Sequence, residues 1–440
     1  MSPNQHSTRP LRPMIAILAA IAVAACSGKT PPTSAPSAAV EVQAAVSSAT
    51  LPSSDDSGLV IGRSGDDGFQ LILARSGERI FAMPAGVPGQ DWSQLVSAAV
   101  TGTSTTIRDI RLPELDSSSQ TIDGGWRLPT IGLDPTPVGV SDDGHTIVLV
   151  ENSRASTGRS RFAIVDRTAA ARPRFIELTG EFDYDALSPD GSILYVVEHL
   201  PGPPDGHYQV RAVDTATGVL RDGVVVDKNE GDEAMAGWPI AQVRRPDGMV
   251  FTLYHGAEHP FIHALSSVDA WALCIDLPAA GANDTAAASD WGLASTIDGR
   301  SIIAANATLG LAVDIRLPDL AIRRSASFAP SASSVISLAK FGHDTGGVVG
   351  RRIVASPSGS VVYAAGAGGI VSIATADLSL TGRFLEGVPV DAMAVTVDGG
   401  TIFALIHTGG RIVRLDAATG RIAGEVPGSG FDRLAAVVPW

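Results

Sequence analysis

From residue 58 onward the chain alternates short runs of Val, Ile, Leu, Phe and Tyr with tight polar turns, and one cassette keeps returning. It reads VGVSDDGHTIVLVEN, DALSPDGSILYVVEH, AQVRRPDGMVFTLYH, LASTIDGRSIIAANA, IVASPSGSVVYAAGA and MAVTVDGGTIFALIH. In each copy a strand-like run meets an Asp-Gly or Ser-Gly turn and then a second run. This is a hairpin pattern, in which Gly supplies the positive φ and Asp caps the turn. A third run follows, such as RFAIVD, YQVRAVD, LAVDIRL, IVSIATA or RIVRLDA, and then a turn and a fourth, such as GRIAGEV. Four short antiparallel strands repeating at roughly 40–50 residues predict the blades of an all-β propeller. No long 3.6-residue apolar period competes, and 47 Gly with 28 Pro suit a turn-dense chain.

Six blades begin near Pro137, Phe182, Gly237, Ser289, Gly347 and Val388. Residues 58–133 hold a less regular one, in which LVIGRSGDDGFQLILARSGERIFAMP imitates the cassette and IRDIRLPEL echoes VDIRLPDL. The expected count is seven blades of four antiparallel strands, with eight as the alternative. The final FDRLAAVVPW has strand character and no local partner. Pairing it with the N-terminal strands would close the ring and remove an open sheet edge.

The segments SPDGSILYVV, SPSGSVVYAA and DAATGRIAGEV resemble the YVTN and lactonase-like bacterial propellers, which are related in fold to WD40-type propellers. The resemblance covers most of the chain after residue 58 and rests on structural turn residues, so it implies a fold. Relatives of that shape include sugar lactonases, quinoprotein dehydrogenases and plain binding scaffolds, and fold alone does not choose among them.

The N-terminus carries Arg9 and Arg12, then the apolar run MIAILAAIAVAA, then Cys26. This is the layout of an export signal, and the run is shorter than the ~20 residues a membrane helix needs. VAAC resembles the bacterial lipobox, which implies cleavage before Cys26 and lipid on its sulfur. An ordinary secretory signal is the alternative. Residues 27–57 are rich in Ser, Ala, Pro and Thr, with too few large apolar residues to build a core. The expected organisation is a lipoprotein signal peptide at 1–25, a lipidated Cys and disordered linker at 26–57, and a propeller at 58–440. The propeller would then sit in the cell envelope, tethered to the extracytoplasmic side of a membrane.

A net charge of −14 argues against a nucleic-acid partner. Of the two Cys, Cys274 in WALCIDLP reads as a small core residue, with His263 near it in sequence.

The stretch YHGAEHPF contains H-x-x-E-H, an inverted zincin pattern. Its two His bind one metal only when a helix turns them to one face, and Gly256 and Pro260 oppose a helix. His255, Glu258 and His259, with His263, are therefore candidates for an irregular loop metal site. The acidic turn DKNEGDEA offers a second set of hard oxygen ligands, Asp227, Asn229 and Asp232, of the kind calcium prefers. Aligning the cassettes places Glu151, Asn152, Glu198, His199, His255, Asn306 and His407 at the end of the second strand in successive blades. Together with Glu258 and His259 they would ring one loop face, where propeller ligands converge. The expected function is a binding scaffold for a protein, peptide or glycan on that face, without catalysis. A lactonase-like, metal-dependent hydrolase is the alternative, and a quinoprotein dehydrogenase-like enzyme is the remoter one. No cofactor is expected, and a divalent metal is the one addition these residues allow.

Overall fold

A computed structural model describes residues 58–438, apart from 64–67, 90–91, 113–115, 133, 153–157, 168–171, 202–205, 226–234, 257–258, 279–289, 318 and 331–351. The candidate residues Cys26, Asp227, Asn229, Asp232 and Glu258 lie outside the described residues. The described residues form eight four-stranded antiparallel sheets and one two-stranded hairpin, without a helix.

The chain is thus an eight-bladed propeller, which corrects the leading count of seven. The extra blade comes from residues 58–133, which supply two blades. Leu59–Arg63, Phe69–Leu73 and Arg79–Met83 are the outer three strands of blade I, and Gly86–Pro88, Gln94–Thr101, Ser104–Arg111 and Ser117–Asp123 make the whole of blade II. Blade II escapes the sequence pattern because its inner strand has only three residues and its outer strand, SSSQTID, is largely exposed.

Blade I is completed by the C-terminal strand Arg433–Val438, which lies innermost and pairs antiparallel with Leu59–Arg63 from Leu59↔Val438 to Arg63↔Arg433. Ring closure therefore follows the expected pairing of the two ends. Phe431, just before this strand, is buried on Gly62, where any side chain would collide with its ring.

A single blade cannot cover its own two faces. Among the described residues the apolar side chains gather into eight clusters, each shared by two neighbouring blades. Between blades V and VI, for example, Phe251, Leu253 and Ile262 meet Trp291, Leu293 and Ile302. The predicted turn chemistry is present in each cassette. Asp190 accepts hydrogen bonds from the Ser192 backbone N–H (3.0 Å) and the Ser188 hydroxyl (2.7 Å), and these hold its carboxyl below the usual range. Thr296 with Asp298 and Thr396 with Asp398 repeat the arrangement.

The inner strand of blade IV, Glu181–Leu187, contains a bulge between Tyr184 and Ala186. Asp185 sits in it, buried, with its Oδ2 lacking a hydrogen-bond partner, and burial pushes the carboxyl up to about 7. Between pH ~4 and ~7 the native state then holds a proton that the unfolded state has lost, so this group lowers stability as pH rises. Asp185→Asn is expected to match the wild-type Tm near pH 4 and to exceed it increasingly up to pH 7, with the gain levelling at about 2–4 kcal/mol. A melting series from pH 4 to 8 in which the difference stays constant would refute this.

Candidate functional site

The HGAEH stretch lies between Met249–His255 and Phe261–Ser266, the second and third strands of blade V; His255 ends the second strand, and its neighbours among the described residues, Gly256, His259 and Pro260, are not helical. His259 Nε2 pairs with the Asp276 carboxylate at 2.8 Å. His255 is half-buried, and its burial holds the imidazole below its ordinary value. Among the described residues no three His, Cys, Asp or Glu side chains gather closely enough to hold a metal ion.

The other expected site residues do stand where the second strands end. Most are engaged within their own blade. Glu151 takes Arg161 Nη1 at 2.6 Å, and Glu198 accepts from Gln209 (2.6 Å) and Arg211 (2.9 Å). His199 pairs with Asp183 at 2.8 Å and His407 with Asp391 at 3.0 Å. Asn152 is exposed, whereas Asn306 is fully buried and its side-chain carbonyl accepts from the Leu309 N–H at 2.9 Å. The geometry brings acid–His pairs together in blades IV and VIII without gathering these residues on one point.

A different place does gather side chains. The inner strands of seven blades surround a central cavity of ≈ 830 Å³. Its lining runs toward the ends of the inner strands: 240–245 in blade V and 393–395 in blade VIII, together with the turn 141–144 of blade III. The cavity therefore lies toward the face opposite the expected ring of polar residues.

Blade IV is missing from the lining because blade III covers it. The inner strand of blade III is split: Trp126–Arg127 pairs with Glu151 and Val150, and Val140 bridges to Ile147 at the other end. Between them the chain makes a hairpin of Thr130–Ile131 and Asp134–Pro137. Ile131 clusters with Phe182, Tyr184 and Leu187 of blade IV. The hairpin reaches blade V at Gly132, whose φ of +53° suits glycine and whose Cα faces the Pro239 carbonyl so closely that a Cβ would overlap it.

Trp92, Trp291 and Leu293 give the cavity an apolar wall, and charged groups collect at its rim. Arg244 reaches from blade V to blades III and IV, donating to the Val140 carbonyl (3.1 Å) and the Leu187 carbonyl (3.0 Å) and pairing with Asp142 at 3.3 Å. Burial lifts the Asp142 carboxyl, Arg244 opposes this, and neighbouring Asp143 adds to it. Arg245 pairs with Asp247 at 2.8 Å and donates to Ser295 at 3.2 Å.

Deeper in, Arg352 forms a buried ion pair with Asp290 at 3.0 Å, bridging blades VII and VI, and Thr308 hydrogen-bonds the same carboxylate. Asp391, in blade VIII, is raised by burial against the pull of His407 and Arg352.

Nothing in the local sequence pattern marks Arg244 or Arg352, whereas Arg245 carries a signal. The residue two before the turn Asp is Ser141, Ser188, Thr296 and Thr396 in four cassettes, and Arg245 in AQVRRPDG. Ser and Thr serve their own turn there, whereas Arg245 serves its turn and also reaches the next blade. A departure from the repeat thus marked the rim.

No protein-family model matches this chain, and no curated protein matches it in sequence. Solved structures share its fold. Apo AztD from Citrobacter koseri superposes with a TM-score of 0.53 at 13% identity, covering 87% of this chain and 97% of that one. A dihydro-heme d1 dehydrogenase, NirN, in complex with DHE gives 0.52 at 14% identity, with 87% and 75% covered. The periplasmic gluconolactonase PpgL of Pseudomonas aeruginosa gives 0.42 at 15% identity, with 78% and 98% covered. For the first two, identities this low speak to the fold alone, and the third superposes too loosely to carry an argument.

Proposed function

We propose that this chain is an exported binding propeller, lipid-anchored through Cys26 on the extracytoplasmic side of the cell envelope, that holds a small amphiphilic organic molecule in its central channel. The observation that carries the reading is the channel itself, ≈ 830 Å³ with an apolar wall and a rim of opposite charges. Ligand pockets commonly span about 300–1,000 Å³ and combine an apolar lining with a few polar groups that orient the ligand. Here Trp92, Trp291 and Leu293 would cover the ligand body, and Asp142, Arg244 and Arg245 would meet its polar head. The opposite face, with Glu151, Glu198, His199, His255 and His407, is left for a protein, peptide or glycan partner.

The amphiphilic dye 8-anilinonaphthalene-1-sulfonate serves as a probe. Ala241 and Ala355 line the cavity and are half-buried, so enlarging them consumes its space. Saturable dye binding to the wild type is expected, weakened about tenfold or more in Ala241→Phe and Ala355→Phe at unchanged Tm, a loss of ~1.4 kcal/mol. Equal binding by all three proteins would defeat the reading.

A lactonase-like hydrolase is the second reading, and one observation favours it. The Asp142 carboxyl lines the channel rim beside Arg244 at 3.3 Å, so an acidic side chain and a guanidinium stand together against whatever the channel holds. Turnover of a lactone panel that Asp142→Asn abolishes while dye binding persists would select this reading over binding alone.

A further inference from the structure

We propose that Met235, His263 and Cys274 form a binding site for a soft monovalent cation of the Cu(I) type, set between the outer strands of blades IV and V. Met235 belongs to the outermost strand of blade IV, Met235–Ala236. His263 lies in the middle of the third strand of blade V, and Cys274 is its direct cross-strand partner on Trp271–Asp276. The donors converge on the thioether. His263 Nδ1 stands 3.2 Å and Cys274 Sγ 3.5 Å from Met235 Sδ.

These separations are close to those of bound ligands. A cation about 2.0 Å from nitrogen and about 2.3 Å from sulfur would see angles of about 95–100° between the thioether and its two partners. Opening each of these two separations by about half an ångström would bring both angles to the trigonal value of about 120°. His263 is fully buried, while Met235 and Cys274 are half-buried, so the site lies just beneath the surface, where an ion can enter. Aromatic rings surround it: Tyr254 meets the His263 ring edge-on at 6.4 Å and is stacked by Tyr208 and Phe261 at 4.9 and 5.1 Å.

The repeat supplies an independent observation. The positions equivalent to His263, counted from the start of each second strand, are Ala163, Arg211, Val313, Val371 and Val413 in blades III, IV, VI, VII and VIII. Three of these are valine, which packs between blades without polar atoms. Blade V instead buries an imidazole there and aims it at a sulfur from the neighbouring blade.

The donor set chooses the ion. A thioether is a poor ligand for hard cations, whereas thiolate, thioether and imidazole together suit Cu(I). Binding involves no redox step: the Cys274 thiol releases its proton to water, sulfur and imidazole nitrogen donate electron pairs, and Cu(I) with thiolate forms a neutral centre.

The test uses the full chain carrying Cys26→Ser, which leaves Cys274 as the only thiol of the two in the sequence. Cu(I) is titrated in competition with bicinchoninate, and Zn(II) in parallel. One Cu(I) per chain is expected. Changing a group that merely orients a ligand costs metal sites ~10–100-fold, so loss of a ligand itself in Cys274→Ser or His263→Asn should cost at least about 100-fold. Met235→Leu conserves volume and should keep its Tm, yet bind Cu(I) about tenfold more weakly or worse. Cu(I) affinity unchanged in Met235→Leu, no Cu(I) uptake by the parent, or tighter Zn(II) than Cu(I) binding would each overturn the assignment.

Discussion

Truncation after residue 430 is expected to leave no cooperatively folded propeller. The lost segment holds the innermost strand of blade I, and every backbone hydrogen bond between it and Leu59–Arg63 goes with it. Its buried side chains face both ways: Phe431, Leu434 and Val437 enter the cluster shared with blade VIII, and Ala436 enters the one shared with blade II. Three large apolar side chains at about 1.5–3 kcal/mol each sum to about 5–9 kcal/mol. Whole domains are stable by only about 5–15 kcal/mol, so this loss alone is comparable to the total. The open edge would also expose unpaired N–H and C=O groups of the N-terminal strand. Thermal unfolding followed by near-ultraviolet circular dichroism checks the expectation. A single sharp transition within a few degrees of the full chain would contradict it.

Arg352→Met is expected to destabilise the propeller by about 3–5 kcal/mol, the usual cost of leaving one partner of a buried ion pair behind. Arg352 and Asp290 have side chains 3% and 1% exposed, so water cannot replace the missing charge. Asp391 is also affected, because Arg352 is one of the charges that restrain the burial-driven rise of its pKa. Without Arg352 that carboxyl titrates higher still. Unfolded-state Asp ionises first as pH rises, so the deficit of the variant grows with pH and shrinks in acid. The double variant Arg352→Met/Asp290→Asn should recover most of the loss, since it removes the orphaned charge. Denaturant unfolding at pH 5 and pH 8 reads both effects, and a pH-independent loss below about 1 kcal/mol would show that the pair carries little.

Much of the fold was legible because a propeller blade is a local object. Except in blade I and in the split inner strand of blade III, its four strands are consecutive, its turns are short, and the Ser/Thr and Asp side chains that clamp the turns lie within a few residues of one another. The same locality put HGAEH at a strand end and between strands, outside any helix pattern: Gly256 and Pro260 act on their immediate neighbours. It also explains the miscount, since blade II has a three-residue inner strand and a polar outer one and so lacks the alternation that marked the rest.

The expected ring of polar residues was legible as position and not as contact. Alignment of the cassettes put Glu198, His199, His255 and His407 at strand ends, where they are. The partners of Glu198, His199 and His407, which are Arg211, Asp183 and Asp391, follow from which strand pairs with which and at what bulge.

The sequence by itself determined the all-β class, the hairpin cassettes and the strand character of the C-terminal segment, because alternation with period two and turn-forming residues act over a few positions. Tertiary structure alone decided the eightfold ring, the hairpin that covers blade IV, the Arg352–Asp290 bridge and the meeting of Met235 with His263 and Cys274. Each of those depends on residues from neighbouring blades, dozens of positions apart in the chain. Such residues come together only when the angular packing of whole blades is set by the buried side chains between them, and no local period encodes that angle.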